Sequence, residues 1–273
     1  MNLVKEANYS RIKEDEDLEC FHSYMSLNTK PYYRYFNTNQ LETHIILNNN
    51  IKFWGEDARP FLLNDTNYVL SQRFVNNFDD IQNYMVNVNT GEATLYKINI
   101  PNFSYGKNWT PFVYKNELYI IQKFDPLTII KDGNIILEFD TNLPKFNNFC
   151  QYRGGSNGLE IDDENIIGVG HKTIELDFHL PFIWILNLKK KTFELMDLIN
   201  YKHSKRLNDP TSLWKDNLTN KFYLSIFESS CLWCYYPIYC RSLIYEINFD
   251  KCINECKSDN SYNLYNILNI NML

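Results

Sequence analysis

Residues 60–74 read Pro60-Phe61-Leu62-Leu63-Asn64-Asp65-Thr66-Asn67-Tyr68-Val69-Leu70-Ser71-Gln72-Arg73-Phe74. Two apolar runs rich in aromatic and branched residues flank an Asn-Asp pair. Such runs fit strands because flat and branched side chains pack on a pleated surface. Asn and Asp tolerate the left-handed backbone angles of tight turns, so the stretch predicts a β-hairpin. The pattern returns along the chain. Pro111-Phe112-Val113-Tyr114-Lys115-Asn116 leads into Leu118 to Phe124 (LYIIQKF), and Ser212-Leu213-Trp214-Lys215-Asp216-Asn217 leads into Phe222 to Glu228 (FYLSIFE). Ile166 to Lys172 (IIGVGHK) is a further match to Tyr68 to Phe74 (YVLSQRF). The starts of the four segments lie about 50 residues apart, a period that suits four-stranded propeller blades.

Each of these hairpins is followed by a second one. Asn83 to Ile98 alternates around Asn89-Thr90-Gly91, and Thr128 to Phe139 turns at Asp132-Gly133. Phe182 to Leu195 turns at Lys189-Lys190-Lys191, and Ser242 to Phe249 supplies the last copy. Two hairpins per period make one blade. Four periods are visible over residues 51–256, and residues 1–50 offer part of a fifth or a closing blade, with Pro31 to Asn37 and Thr43 to Leu47 strand-like. Residues 257–273 form a tail, with Leu264 to Leu273 either a short helix or a closing strand. The expected fold is all-β: one five-bladed β-propeller domain over residues 1–273, its first blade incomplete. A β-sandwich is the alternative for the same strands, and the regular spacing of matched double hairpins argues against it. With 9 glycines in 273 residues, Asn and Asp must take many turn positions.

Bulk composition narrows the function. The formal net charge is -6, and 22% of residues are charged, with no large basic cluster. A protein that neutralises phosphates needs a basic face, so no nucleic-acid partner is expected. The three lysines at 189–191 lie between two strand-like runs and read as an exposed turn. No apolar run approaches the roughly 20 residues that span a bilayer, and the polar start of the chain does not resemble a secretory signal. The expectation is a cytoplasmic protein without a membrane partner. Seven cysteines, an odd number, fit reduced thiols rather than a closed disulfide framework. Cys231-Leu232-Trp233-Cys234, with Cys240, Cys252 and Cys256, is loosely spaced for a zinc site, so neither a disulfide nor a metal is expected.

Function in a propeller collects where the innermost strands enter the central channel. The polar groups there are Glu56, Asp57 and Arg59 before the first complete blade, Lys107 and Asn108 before the second, and Arg153 before the third. Arg73, Lys123, Asp125 and His171 stand at the far ends of neighbouring strands. Bland readings stand beside these. Glu56 to Arg59 fits a turn with a local Asp–Arg pair, Trp109 fits packing between sheets, and His171 fits a buried histidine. His22, His44, His179 and His203 carry no supporting context and read as surface or packing residues.

Gly55-Glu56-Asp57-Ala58-Arg59 resembles the Gly-x-Glu-Asp-Pro-Arg motif of the five-bladed inverting β-mannoside phosphorylases and their glycoside hydrolase relatives. Lys107-Asn108-Trp109 with Pro111-Phe112 resembles a Lys-Asn/Asp segment of that group. Arg153-Gly154-Gly155-Ser156, followed by Gly168-Val169-Gly170-His171, is similar to its glycine-rich strand and following histidine. The resemblance covers residues 50 to 175 and extends to β-mannosyltransferase-like proteins. It implies a carbohydrate-active enzyme that makes or breaks a glycosidic bond, with Asp57 as general acid protonating the leaving oxygen. It further implies that Lys107, His171 and Arg73 hold an anion, and that Arg59 binds sugar or anion or positions Asp57. Glu56, Asn108, Asp125 and Arg153 complete the expected substrate-binding set. The implied ligand is an oligosaccharide or sugar phosphate, with inorganic phosphate as a co-substrate and no cofactor. Ala58 stands where the family has proline. A non-catalytic propeller that binds a glycan or a protein partner is the alternative.

Overall fold

A computed structural model of the chain describes residues 2–8, 12–15, 18–27, 30–37, 42–46, 52–75, 80–101, 103, 105–143, 151–175, 178–197, 207–229 and 240–249. Every regular element among them is a β-strand, and no helix there is long and apolar enough to cross a membrane. The strands pair into five sheets. Four of these share one plan, in which consecutive antiparallel strands run outward from an inner one.

The sheet nearest the N-terminal end of this series holds β7 (Glu56–Leu63), β8 (Thr66–Val75), β9 (Asp80–Asn87) and β10 (Ala93–Leu95). The next holds β11 (Thr110–Tyr114), β12 (Glu117–Phe124), β13 (Leu127–Lys131) and β14 (Asn134–Phe139). In the third the inner strand is broken into β15 (Gln151–Arg153) and β16 (Leu159–Glu160), both paired with β17 (Asn165–Glu175), followed by β18 (Phe178–Asn187) and β19 (Thr192–Asp197). The fourth holds β20 (Leu207–Lys215), β21 (Phe222–Ser229) and β22 (Cys240–Ile247), and its outer strand is β1 (Asn2–Asn8) from the other end of the chain. The remaining sheet is β2 (Ile12–Asp15), β3 (Leu18–Leu27), β4 (Lys30–Asn37), β5 (Glu42–Ile46) and β6 (Lys52–Trp54).

The four matched segments therefore fall on β8, β12, β17 and β21, the second strand of four separate sheets. Their turns form as the Asn/Asp content requires. Asn64 and Asp65 have φ of 49° and 58°, and Lys115 and Asn116 have 51° and 61°. Left-handed angles at both central residues are what the twist of a two-residue hairpin demands. Asp132 and Gly133 repeat the arrangement at 49° and 76°.

Neighbouring sheets meet near their inner strands, β7 against β11, β11 against β16, and β17, the second strand of its sheet, against β20. The sheets thus form a propeller-like ring. The apolar core lies between successive sheets rather than inside any one. Phe61, Leu70, Trp109, Ile120 and Ile130 fill the first gap. Phe112, Phe124, Phe182 and Trp184 fill the second. Val169, Ile183, Leu224 and Ile226 fill the third. Each large side chain so buried contributes roughly 1.5–3 kcal/mol. Trp109 packs against Tyr96, Phe103 and Tyr105, so its ring belongs to this core.

The broken inner strand of the third sheet acts as a joint. Gly158 N–H donates to the Pro111 carbonyl of the second sheet at 2.9 Å. The buried Asn157 amide donates from Nδ2 to the Leu213 carbonyl and accepts from the Leu213 N–H through Oδ1, each at 2.9 Å, on the fourth sheet. Ser156 Oγ accepts from Val169 N–H at 3.0 Å within its own sheet. Three consecutive residues thereby tie three sheets together.

Leu264 to Leu273, His203, Cys150, Cys231, Cys234, Cys252 and Cys256 lie outside the described residues, as do the side chains of Cys20, Cys240, His22 and His44.

Candidate functional site

The inner strands β7, β11 and β20 all begin at one end of the ring, where the outward-running β8, β12 and β17 finish. That end gathers the polar groups expected from the sequence. β7 enters through a β-bulge: Glu56 pairs with Gln72 and Arg59 with Leu70, so Asp57 and Ala58 together face one residue. Asp57 has φ of 51°. Expected ahead of the strand as a turn, the Asp57 segment lies within it, and the bulge supplies the re-aiming a turn would have given. Gln72, 2% exposed, donates from Nε2 to Asp57 Oδ2 at 2.5 Å and accepts from the Asn108 N–H through Oε1 at 3.3 Å. Asn108 has φ of 60°. One buried amide thus clasps two residues in left-handed conformations, which Asp and Asn adopt more readily than other side chains.

Arg59 is buried, and its Nη1 donates to the Pro210 carbonyl at 3.1 Å, joining β7 to β20. Arg153 Nε donates to Gln151 Oε1 at 3.0 Å, and its Nη2 donates to the same oxygen. Burial pulls the Arg153 pKa below its ordinary value, and the carboxylates of Asp209 and Asp57 act against that. Arg153 therefore lies within electrostatic reach of both acids.

His171 pairs in register with Arg153 on one side and Pro181 on the other. His179, two residues from Pro181 on the same face of β18, is its diagonal neighbour, and the two rings stack with centroids 4.6 Å apart. Asp209 of β20 reaches over from the next sheet. Its Oδ1 lies 2.6 Å from His179 Nδ1 and 3.8 Å from His171 Nδ1. Asn208 Nδ2 donates to the His179 carbonyl at 3.0 Å and fixes the two sheets in this relation. Among the described residues, neither ring nitrogen of His171 has a hydrogen-bond partner. Burial pushes the His171 pKa from 6.5 down to about 3; Asp209 opposes this, while His179, Arg153 and Arg59 reinforce it. Burial by itself would raise the Asp209 carboxyl, but His171, the His179 hydrogen bond and Arg59 outweigh it and hold Asp209 below the usual carboxylate range.

These shifts give the fold an acid-sensitive side. Between pH 6.5 and about 3 the unfolded chain protonates the His171 position while the folded chain does not. Stability therefore falls as pH drops below 6.5, by at most about 1.4 kcal/mol per pH unit for one such group. Asp209 adds a loss of the same sign only below its unfolded value of 3.8. The unfolding free energy from urea titrations between pH 7 and 4.5, with chelator present, is expected to fall by roughly 2.5 kcal/mol from His171. In His171→Gln that slope should flatten. An unchanged slope would assign the acid sensitivity elsewhere.

The other expected residues stand around this set. Lys107 is exposed on the loop entering β11, and Arg73 is half-buried on β8 opposite Gln82. Asp125 is half-buried in the β12–β13 turn, where it accepts from Thr141 Oγ1 at 3.0 Å. Lys123 is exposed near the end of β12. Glu56 pairs with Gln72, and its side chain lies outside the described residues. Asp57, Asn108, Arg59, Arg153 and His171 are brought together. Gln72, Asp209 and His179 join them without having been singled out by sequence; His179, expected at the surface or in packing, is buried and stacks on His171. A signal did exist: Asp209-Pro210 repeats Arg59-Pro60 at the start of an inner strand, and His179 follows His171 by the eight residues of a β-hairpin.

No family model matches the sequence, and no curated protein matches it. Among solved structures, a hypothetical protein from Leishmania major superposes with a TM-score of 0.54 at 10% identity, over 89% of this chain and 91% of that one. TolB from Acinetobacter baumannii gives a TM-score of 0.34 at 12% identity, over 84% of this chain and 52% of the other. At such identity the first likeness is one of fold alone.

Proposed function

We propose that this chain is a five-bladed β-propeller enzyme that makes or breaks a glycosidic bond, with Asp57 as the general acid. The fifth blade is the β2–β6 sheet; β3 lies against both β20 and β7, the two inner strands whose gap it would fill. One observation carries the catalytic reading. Asp57 sits on a bulge at a left-handed φ and is clasped through Gln72 to Asn108, itself left-handed. A bulge that re-aims a carboxylate at a channel mouth is an arrangement that recurs beside active sites. The ordered resemblance to β-mannoside phosphorylases, hydrolases and β-mannosyltransferase-like proteins supplies the reaction class.

In this reading the Asp57 carboxylic acid gives its proton to the glycosidic oxygen as the bond to the sugar carbon breaks. A nucleophile forms a new bond to that carbon from the opposite face. If the nucleophile is inorganic phosphate, Arg153 and Lys107 are the cations that hold it. If it is water, a second carboxylate must activate it. Arg59, committed to the Pro210 carbonyl, positions the β7 bulge.

Oligosaccharides and glycosyl phosphates assayed with and without phosphate test the proposal. Asp57→Asn is expected to lower turnover of an active substrate by about 10²–10⁴-fold, because an amide cannot donate the proton. Sugar affinity should change little. Full activity of Asp57→Asn would overturn the role. Sugar binding with no turnover of any member of the panel would leave the propeller as a glycan-binding module, the reading that Ala58 in the family's proline position favours.

A further inference from the structure

The His171–His179–Asp209 cluster has a composition the glycosidic reading does not use. Two imidazoles and a carboxylate, drawn from three different strands, present ligand atoms all within 4.8 Å of one another. We propose that His171, His179 and Asp209 form a binding site for a first-row divalent transition-metal ion, zinc first among them. The inference stands apart from the glycosidic one, and it departs from the expectation, drawn from the cysteines, that the chain holds no metal.

Two observations support it. The first is His171 itself. Its side chain is 2% exposed, and neither ring nitrogen has a hydrogen-bond partner among the described residues. A buried polar group left unsatisfied costs about 1–3 kcal/mol, so such a group asks for a ligand. The second is the donor set. Imidazole nitrogen with one carboxylate oxygen suits zinc and its first-row neighbours rather than calcium or magnesium, which take oxygen alone.

The geometry needs a small closure. Ligand atoms bonded to such an ion at about 2.0–2.2 Å stand roughly 3–3.5 Å apart. His179 Nδ1 at 2.6 Å from Asp209 Oδ1 must move slightly outward, and His171 Nδ1 at 3.8 Å slightly inward. The stacked rings differ by 22°, so one must rotate to aim its lone pair at the ion. His171, without a hydrogen bond among the described residues, is the ring with less to lose by turning. Pro181 opposite His171, Pro210 beside Asp209, and the Asn208 bond to the His179 carbonyl hold the backbones of the three ligands in place. Three protein ligands leave positions open to water or to an anion, and Arg153 and Arg59 favour an anion there.

The test is metal binding by the purified wild-type chain, independent of any activity. Equilibrium dialysis with zinc and with cobalt should give one ion per chain, and cobalt should show ligand-field bands of nitrogen and oxygen ligation. Crystals soaked in zinc should show anomalous density between the two histidines and Asp209. Asp209→Asn and His171→Gln, checked for folding by circular dichroism, should weaken binding more than about 100-fold, beyond the loss of an outer-shell partner. Asp57→Asn should bind as wild type. The proposal is overturned if wild type binds neither ion stoichiometrically, if cobalt shows a thiolate charge-transfer band, or if the folded variants bind unchanged. A variant that fails to fold leaves the decision to the wild-type spectrum and density.

Discussion

Gly154→Ala is expected to lower stability by about 3 kcal/mol, the upper end for overpacking. A Cβ at this position would stand 2.0 Å from the Asn108 carbonyl oxygen and 2.3 Å from Thr110 Oγ1. The first obstacle is backbone, which cannot rotate out of the way as a flexible side chain does. Either the β15 end or the Asn108 segment must retreat. Asn108 is the residue whose N–H is held by Gln72, the amide that also holds Asp57. The substitution should therefore disturb the Asp57 carboxylate as well as the fold. Chemical denaturation of Gly154→Ala beside Gly106→Ala checks this. At Gly106 a Cβ would meet only side-chain atoms at 3.8 and 3.9 Å, so that variant should lie within about 0.5 kcal/mol of wild type. Equal midpoints for the two would show that the contact between the second and third sheets yields easily.

Asn157→Ala should cost about as much for the opposite reason. Its amide satisfies both the N–H and the carbonyl of Leu213, a residue 1% exposed. Truncation leaves a buried donor and a buried acceptor unpaired, at about 1–3 kcal/mol each. Asn157→Asp should be no better, since it replaces the donor with a carboxylate facing the Leu213 carbonyl. Ser212→Ala, next in sequence to Leu213, is the contrast. The Ser212 hydroxyl is buried without a partner, so its removal should be neutral or mildly stabilising. A ranking in which Ser212→Ala is as damaging as Asn157→Ala would mean that packing, not hydrogen bonding, sets the cost at this joint.

The hairpins were legible because their determinants are local. Asn64-Asp65, Lys115-Asn116 and Asp132-Gly133 carry their turns within two residues, and the alternation on either side sets the strands. The partner of β22 was not legible, because pairing with β1 rests on matching two edges that no short-range pattern connects. The site divides in the same way. Asp57, Asn108, Arg153 and His171 stand out where short polar motifs meet strand ends. Gln72 is embedded in a regular strand, and only the register that sets it opposite Glu56 places its amide against Asp57. His179 and Asp209 gain meaning from the stacking of β18 on β20, a contact between sheets. The bulge at Asp57 was hidden because an aspartate, rather than the glycine that marks one class of bulge, takes the left-handed position.

The pairing of β1 with β22 joins Asn8 to Arg241, more than 230 residues later in the chain. Ribosomes add about 5–20 residues per second, so roughly 10–50 seconds separate the synthesis of the two edges. During that interval Asn2 to Asn8 exists without its lattice of hydrogen bonds, an unpaired strand in a crowded cell. Pairing of β1 with β22 therefore has to wait until every strand between them has been made. A chain stalled before Cys240 would present two open edges, and the quality-control machinery would meet a strand-pairing template rather than a finished protein.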